Sequence, residues 1–435
     1  MSNLDEAVFD PSIHLAYSPP KDVFSLADLG IEENRYTTPV AGCKPFKFLS
    51  KEGVLAYRRA ILKRHVFDQC GGYPFPGTVT LRNVARVSPF VRDLWTHPQT
   101  LAIMSAILGT KVDVVMPTEI GHTNIQVTGD GDVLEQLSVE PTTAKYSPAG
   151  QEEEAYDPLS GSSVIPWHYD SYPYVCIIML SDTTNMRGGE TFISGQEIQA
   201  VEGPTLGTAV LLQGGKVKHL AARTFGSAER ITTITSFRAD VAGTWDDSYL
   251  ANLRAYDNLP VLYQQWSRYR LTKMRDEIDL ALTKIESAEV AEADFPRVEL
   301  EDLCERLSEY ARRTASQIVD PQIRDRLAAE YGSDGIARAG SMWQKVKSRS
   351  NTTAAITGAT KYAEDTMPEM RKYILDWCQT RARLLRGSKE SGTQGSIEYD
   401  ATVEYLLGDE LLRQGLVEIL LHWMDTTELL SLLEE

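Results

Sequence analysis

Between Pro166 and Arg238 the chain carries His168 and Asp170 two residues apart and, about fifty residues later, a lone His219. The runs around them, Val175–Leu180, Glu190–Ile193, Thr208–Leu212, Val217–Leu220 and Ile231–Phe237, are short, rich in β-branched and aliphatic residues, and separated by turn residues. That pattern predicts strands. Residues two apart fall on one face of a strand or its end, so His168 and Asp170 can reach a single point, and His219 joins them from a strand distant in sequence. The segment is therefore read as a β-rich core that folds back on itself.

Each piece is weak alone. With seven histidines in the chain, a chance His-x-Asp is not rare, and a single histidine in a strand is more often a satisfied core residue. The conjunction is stronger, because two imidazoles and one carboxylate leave one face of an octahedral ion open, a ligand set that suits non-haem Fe(II). Eleven residues past His219 comes Arg230, with Thr232 two further on the same strand face. A guanidinium beside a hydroxyl makes a receptor for a carboxylate, the arginine giving a bidentate, charge-assisted pair. Arg223 lies only four residues past His219, too few for the chain to turn and return. Arg238 lies eight residues beyond Arg230, roughly 26 Å at strand rise, and cannot serve the same anchor.

At these residues the chain resembles the Fe(II)/2-oxoglutarate-dependent dioxygenase superfamily, whose pattern is HxD, a distant His, and Arg-x-Ser/Thr about ten residues later. Here the pattern is His168-Tyr169-Asp170, His219 and Arg230-Ile231-Thr232, and the Gly188-Gly189-Glu190-Thr191-Phe192 turn resembles the family's strand connection. The match spans about 75 residues. The wording WHYDSYPYVCIIMLSDT is similar to fungal members, including amino-acid-oxidising enzymes that close an aziridine ring on valine. The resemblance implies an α+β fold with a double-stranded β-helix (jelly-roll, cupin-like) core. It implies Fe(II) on His168, Asp170 and His219, with 2-oxoglutarate on the iron and its far carboxylate on Arg230 and Thr232. O2 is then the oxidant, succinate and CO2 are released, and a C–H bond of a small molecule is oxidised.

Elsewhere the reading is coarser. His122-Thr123-Asn124-Ile125-Gln126-Val127 alternates, with His122, Asn124 and Gln126 on a polar face. Asn124 is the candidate from that face for cosubstrate contact; the alternative is a solvent-facing edge strand. The first stretch, to about Lys44, reads as a Pro-rich arm over the surface. A helix is expected over Ser50–His65, a strand over Thr78–Val84, one helical pattern over Val91–Leu108 closed by Gly109, and a strand over Val112–Met116. Gly129 to Gly161 reads as a long insertion near the site, where such loops are often lids. Trp167, Tyr169, Tyr172 and Tyr174 either shape a pocket or pack around strand ends.

Beyond Asp240 helical periodicity dominates, so 1–240 is read as arm plus core and 241–435 as a helical region for support or self-association. One helical face is expected to hold Leu300, Leu303, Leu307, Tyr310 and Ala311. Helix starts are expected at Pro260, at Asp320-Pro321 and at the Thr366–Glu369 capping box. A stripe of Leu406, Leu407, Leu411, Leu412, Leu416, Ile419, Leu420 and Trp423 is too broad for a lone surface helix, and it leaves a homodimer open. His422 in that stripe has no carboxylate at i−4 or i+4 to make a second metal pair.

Five scattered cysteines without CxxC spacing argue against a disulfide framework or structural zinc site and for a reducing compartment. No apolar run approaches a membrane span, and the first residues lack a signal-peptide pattern, so a cytoplasmic location is expected. A net charge of −17 disfavours nucleic acid and favours a small-molecule substrate. Two other readings stand beside the oxygenase: an iron oxidase that takes all electrons from its substrate without 2-oxoglutarate, and a non-catalytic barrel scaffold. A zinc hydrolase is weaker, because the stretch supplies no clear general base.

Overall fold

A computed structural model of the protein describes residues 6–33, 38–72, 78–129, 131–145, 165–222, 224–244, 248–250, 259–290 and 295–318. Arg223, the caps at Asp320 and Thr366, the Leu406–Trp423 stripe with His422, and most of the second half of the expected insertion lie outside the described residues. The strands are β1 (Val23–Ser25), β2 (Val40–Cys43), β3 (Phe46–Lys47), β4 (Gly71–Gly72), β5 (Thr78–Leu81), β6 (Val112–Val114), β7 (His122–Val127) and β8 (Ile165–His168). They continue with β9 (Tyr174–Met179), β10 (Arg187–Gly188), β11 (Thr191–Ser194), β12 (Ile198–Val201), β13 (Thr208–Leu212), β14 (Lys218–Ala221), β15 (Thr224–Phe225) and β16 (Glu229–Ala239). The helices are α1 (Pro11–His14), α2 (Lys51–Ile61), α3 (Arg64–Cys70), α4 (Pro89–Thr96), α5 (Pro98–Leu108), α6 (Leu259–Val290) and α7 (Arg297–Ser316).

The strands form an antiparallel ten-stranded sheet in the order β1-β2-β13-β9-β16-β7-β5-β4, with β3 added to β13 and β6 to β16. A four-stranded sheet runs β12-β11-β14-β8, and β10 pairs with β15. Strand alternation gives the large sheet two different faces. On the outer face Ile231, Phe237, Cys176, Ile178 and Leu211 pack with Tyr57, Phe90 and Trp95 from α2 and α4 in one buried core. On the inner face Val175, Val210 and Leu212 share a second core with Ile193 and Val201 of the four-stranded sheet. The two sheets thus bury apolar surface against each other, and helices cover the outside. This is a mixed helix and antiparallel-sheet architecture, in agreement with the expected α+β class.

Three local expectations are corrected. The pattern over 91–108 is two helices, because Pro98 cannot continue α4; His97 ends it and caps α5 through Gln99 N–H. The predicted helix over 50–65 stops at Ile61, with Ser50 capping Gly53 N–H at 2.9 Å, and α3 follows as a separate turn. The N-terminal arm is more than a surface strap: Leu26, Ala41 and Cys43 are buried, and β2 pairs with β13.

The chain divides into two compact units, Met1–Leu250 with Tyr256–Ala315, and Ala251–Ala255 with Ser316–Glu435. Only the first is described at length, and it includes α6 and nearly all of α7. Leu262, Trp266 and Arg270 of α6 are fully buried. The Arg270 guanidinium lies 3.3 Å from the Tyr310 ring centre, and its Nε donates to Thr314 Oγ1 at 3.0 Å. In α7 Leu303, Tyr310 and Thr314 face inward, while Ala311, expected on that face, is exposed. Among the described residues no helix is long and apolar enough to cross a membrane.

Candidate metal centre

β14 lies between β11 and β8, and His219 stands directly opposite His168 on one neighbour and Ile193 on the other. Cross-strand partners share a face, so both imidazoles point to the side that carries the inner core. Their ring centres are 4.2 Å apart. Asp170 follows just past the end of β8, held by a hydrogen bond from its backbone N–H to Gly214 O at 2.9 Å. A Cβ on Gly214 would sit 1.7 Å from Asp170 Oδ2, so only glycine leaves room for the carboxylate. Asp170 Oδ1 is 3.6 Å from His168 Nε2, and Oδ2 is 3.6 Å from His219 Nε2. One ligand atom from each residue falls within 4.8 Å of the others.

These separations are too long for hydrogen bonds, and Asp170 Oδ2 is fully buried with no hydrogen-bond partner. His219 Nδ1 bonds to Val217 O at 2.9 Å, which places the proton on Nδ1 and turns the Nε2 lone pair toward the carboxylate. Burial first, then the neighbouring His168, pushes the His219 pKa down to about 4 against the pull of Asp170. The ring is therefore neutral near pH 7. Burial alone would raise the Asp170 pKa, but the two imidazoles outweigh it and hold the carboxyl below its usual value. One ligand atom from each of the three residues thus converges on a single point, and a cation is the group that can satisfy all three.

The carboxylate receptor lies on the inner face of the large sheet. In the register of β16 with β7, Arg230 opposes Gln126, Thr232 opposes Asn124 and Ile234 opposes His122. The burial of β7 alternates: 123, 125 and 127 are buried, and 122, 124 and 126 are partly open. The polar face of β7 is therefore turned inward beside Arg230 and Thr232, and Asn124 shares a row with Thr232. Among the described residues Arg230 makes no ion pair, its Nε is buried without a hydrogen-bond partner, and burial lowers its pKa to about 10. Gly189, at φ +83°, lets the 188–189 turn come close, since a Cβ there would lie 2.6 Å from Thr224 Cγ2 and 3.9 Å from Arg230 Nε. Arg238 shares the strand face but pairs with Asp113 and Asp240 at the far end.

The aromatic residues near the ligands divide. Tyr174 belongs to the outer core and bonds Thr38 through its hydroxyl at 2.6 Å, so it packs and does not line the site. Tyr172 is buried, and Tyr169 accepts a hydrogen bond from the Tyr249 hydroxyl at its carbonyl. Sequence reasoning missed Gly214. A double glycine before a strand was its visible trace.

The sequence matches no protein-family model, and no curated protein matches it. Solved structures are similar at low overall scores. An α-ketoglutarate-dependent epimerase, SnoN, from nogalamycin biosynthesis is 15% identical over 44% of this chain and 74% of its own, with a TM-score of 0.31. HygX from Streptomyces hygroscopicus, solved with nickel, 2-oxoglutarate and hygromycin B, is 16% identical over 50% of this chain and 90% of its own, TM-score 0.30. A 2OG-Fe(II) oxygenase family oxidoreductase from Burkholderia pseudomallei is 12% identical over 43% and 91%, TM-score 0.28. At such scores the site stands on its own geometry. The solved structures that this chain is similar to thus include an α-ketoglutarate-dependent enzyme, a protein with 2-oxoglutarate bound and a member of the 2OG-Fe(II) oxygenase family.

Proposed function

We propose that the protein is a non-haem Fe(II)/2-oxoglutarate-dependent oxygenase that oxidises a C–H bond of a small molecule with release of succinate and CO2. In this reading the two sheets that share the inner core form a double-stranded β-helix. The observation that carries it is the pairing of two features inside one fold: a junction of His168, Asp170 and His219 whose ligand atoms lie within 4.8 Å of one another, and an Arg230 whose buried Nε has no hydrogen-bond partner among the described residues. The first fits a divalent cation with open coordination positions. The second fits the distal carboxylate of a dicarboxylic acid.

His168, Asp170 and His219 would hold the iron, and Arg230 with Thr232 would hold the far end of 2-oxoglutarate, with Asn124 one strand over. The bound iron, 2-oxoglutarate and O2 supply the oxidising chemistry. The chain supplies orientation. Gly214 O fixes Asp170, Val217 O fixes the His219 tautomer, and the inner core around Ile193, Val175 and Val210 excludes water from one side. A net charge of −17 is in keeping with a small-molecule substrate.

An iron oxidase independent of 2-oxoglutarate gives no use to Arg230, whose Nε has no partner among the described residues, so the dicarboxylate reading is preferred. The test is anaerobic addition of Fe(II) and 2-oxoglutarate to the full-length protein. A weak visible charge-transfer band is expected, and it should be absent from His168→Ala, Asp170→Ala and His219→Ala variants that keep wild-type far-UV dichroism. Well-folded protein that gives no band, or that turns over without succinate, rules this function out.

A further inference from the structure

Two of the three proposed iron ligands are set by strand pairing, and the third is not. His168 and His219 face each other in the β8–β14 ladder, and β8 ends at that pair. Asp170 lies beyond it, in the connection 169–173 that leaves β8 of the four-stranded sheet and enters β9 of the ten-stranded one. A carboxylate on such a connection needs another source of position, because a ligand group serves an ion only when held within about 0.5 Å of its place.

The backbone around Asp170 is held from elsewhere in the chain. Being planar, the Tyr169–Asp170 peptide turns as one body, and both its ends are tied: Asp170 N–H donates to Gly214 O at 2.9 Å, and Tyr169 O accepts from the Tyr249 hydroxyl at 3.2 Å. Tyr249 also donates its backbone N–H to Ser171 O at 3.2 Å, so one residue grips the carbonyls of both neighbours of Asp170. The grip is seated in turn. Ser248 and Leu250 are buried on either side of Tyr249, and Ser248 Oγ is 3.5 Å from the hydroxyl of Tyr269 on α6. Tyr269 is buried edge-on against the fully buried Trp266, their ring centres 5.8 Å apart. Support thus reaches the ligand from α6 and the segment before it, outside both sheets.

We propose that Tyr249 is a positioning residue for Asp170: it fixes the backbone on both sides of that ligand, and α6 seats it through Ser248. That Asp170 holds iron rests on the oxygenase reading; the grip on its backbone does not. The two contacts can be separated. Tyr249→Phe keeps the bond to Ser171 O and loses the bond to Tyr169 O, which frees one end of the Tyr169–Asp170 peptide to turn. Removing a group that orients a metal ligand lowers metal affinity by about 10–100-fold. Tyr249 acts on the backbone and not on the carboxylate itself, so the loss belongs at the lower end of that range.

The experiment titrates Co(II) into the full-length, metal-free protein and reads its visible d–d bands. Tyr249→Phe is expected to bind about tenfold more weakly, with shifted bands. Tyr174→Phe is the control: it loses a comparable hydroxyl contact, the 2.6 Å bond with Thr38 Oγ1, and should keep wild-type affinity and bands. In the wild-type protein Co(II) should slow hydrogen exchange of the Tyr249 amide, whose acceptor flanks the ligand, and leave that of Ala16, bonded to Phe48 O, unchanged. Wild-type affinity and unshifted bands in Tyr249→Phe, or an equal loss in Tyr174→Phe, overturn the assignment. If Tyr249→Phe does not fold, a Tyr249 amide that exchanges at the same rate with and without Co(II) overturns it equally. Wild-type protein that binds Co(II) but not 2-oxoglutarate, with weakened Co(II) binding in Tyr249→Phe, would keep the positioning role and remove the oxygenase reading. Protein that takes up no Co(II) would remove both.

Discussion

Glu229 and Arg230 are neighbours in β16, yet their side chains point to opposite faces and meet opposite fates. Outward, Glu229 receives Arg58 in a bidentate pair at 2.8 and 3.0 Å, and Arg58 also donates to the carbonyls of Leu180, Ser138 and Val139. Ser181 completes the cluster by donating to Glu229 and accepting from Ile231 N–H. Inward, Arg230 Nε has no partner among the described residues. Arg58 is fully buried with its hydrogen-bonding partners in place, and Arg230 is partly buried with its Nε unsatisfied. The difference separates a group that serves the fold from one that fits a ligand, because an unsatisfied buried donor is retained against its cost.

The sharpest way to break this contrast is to remove Arg58. Arg58→Ala leaves Glu229 charged, buried and unpaired, and should cost about 3–5 kcal/mol of stability in urea unfolding. Arg230→Ala should leave the unfolding midpoint unchanged or raised. Comparable losses of stability in the two variants would mean that both arginines are structural.

Acid provides the next largest effect. His219 has its pKa lowered from 6.5 to about 4 in the folded protein, so protonation favours the unfolded chain. Its contribution is complete above about pH 6.5 and is lost as pH falls toward 4, about 3 kcal/mol in the metal-free protein. His219→Gln should flatten the pH dependence of the unfolding free energy across that window; an unchanged profile would place the titrating group elsewhere.

Arg230→Ala should weaken 2-oxoglutarate binding by about 2–4 kcal/mol, read by calorimetry on protein loaded with Mn(II). Arg238→Ala should leave it unchanged, since that guanidinium is committed to Asp113 and Asp240. The smallest change is expected for Thr232→Ala, which removes one hydroxyl on the same face and should cost about 1 kcal/mol of cosubstrate affinity. A larger loss in Thr232→Ala than in Arg230→Ala would reverse the roles assigned to the two residues.

Much of the site is legible in the amino-acid sequence because strand periodicity is local. His168 and Asp170 two apart, Arg230 and Thr232 two apart, and the polar set His122, Asn124 and Gln126 follow from the alternation of side chains along an extended chain. Helix starts are legible for the same reason: Ser50 and Pro260 act on their own first turns. Where local patterning misleads, as at Pro98 and in the N-terminal arm, the deciding term is either a single breaker inside a continuous apolar pattern or pairing with a distant strand.

What sequence alone determined, then, was which side chains share a face, since that depends only on backbone geometry between near neighbours. Which faces meet was decided by the tertiary fold. His219 comes opposite His168 because β14 pairs with β8, and Asn124 comes beside Thr232 because β7 pairs with β16. The space that Gly214 leaves for Asp170 and the burial of Arg230 Nε likewise depend on residues far apart in the chain. Register between distant strands is set by the burial of whole faces against helices and against the second sheet, and no local stretch of the sequence carries that free energy.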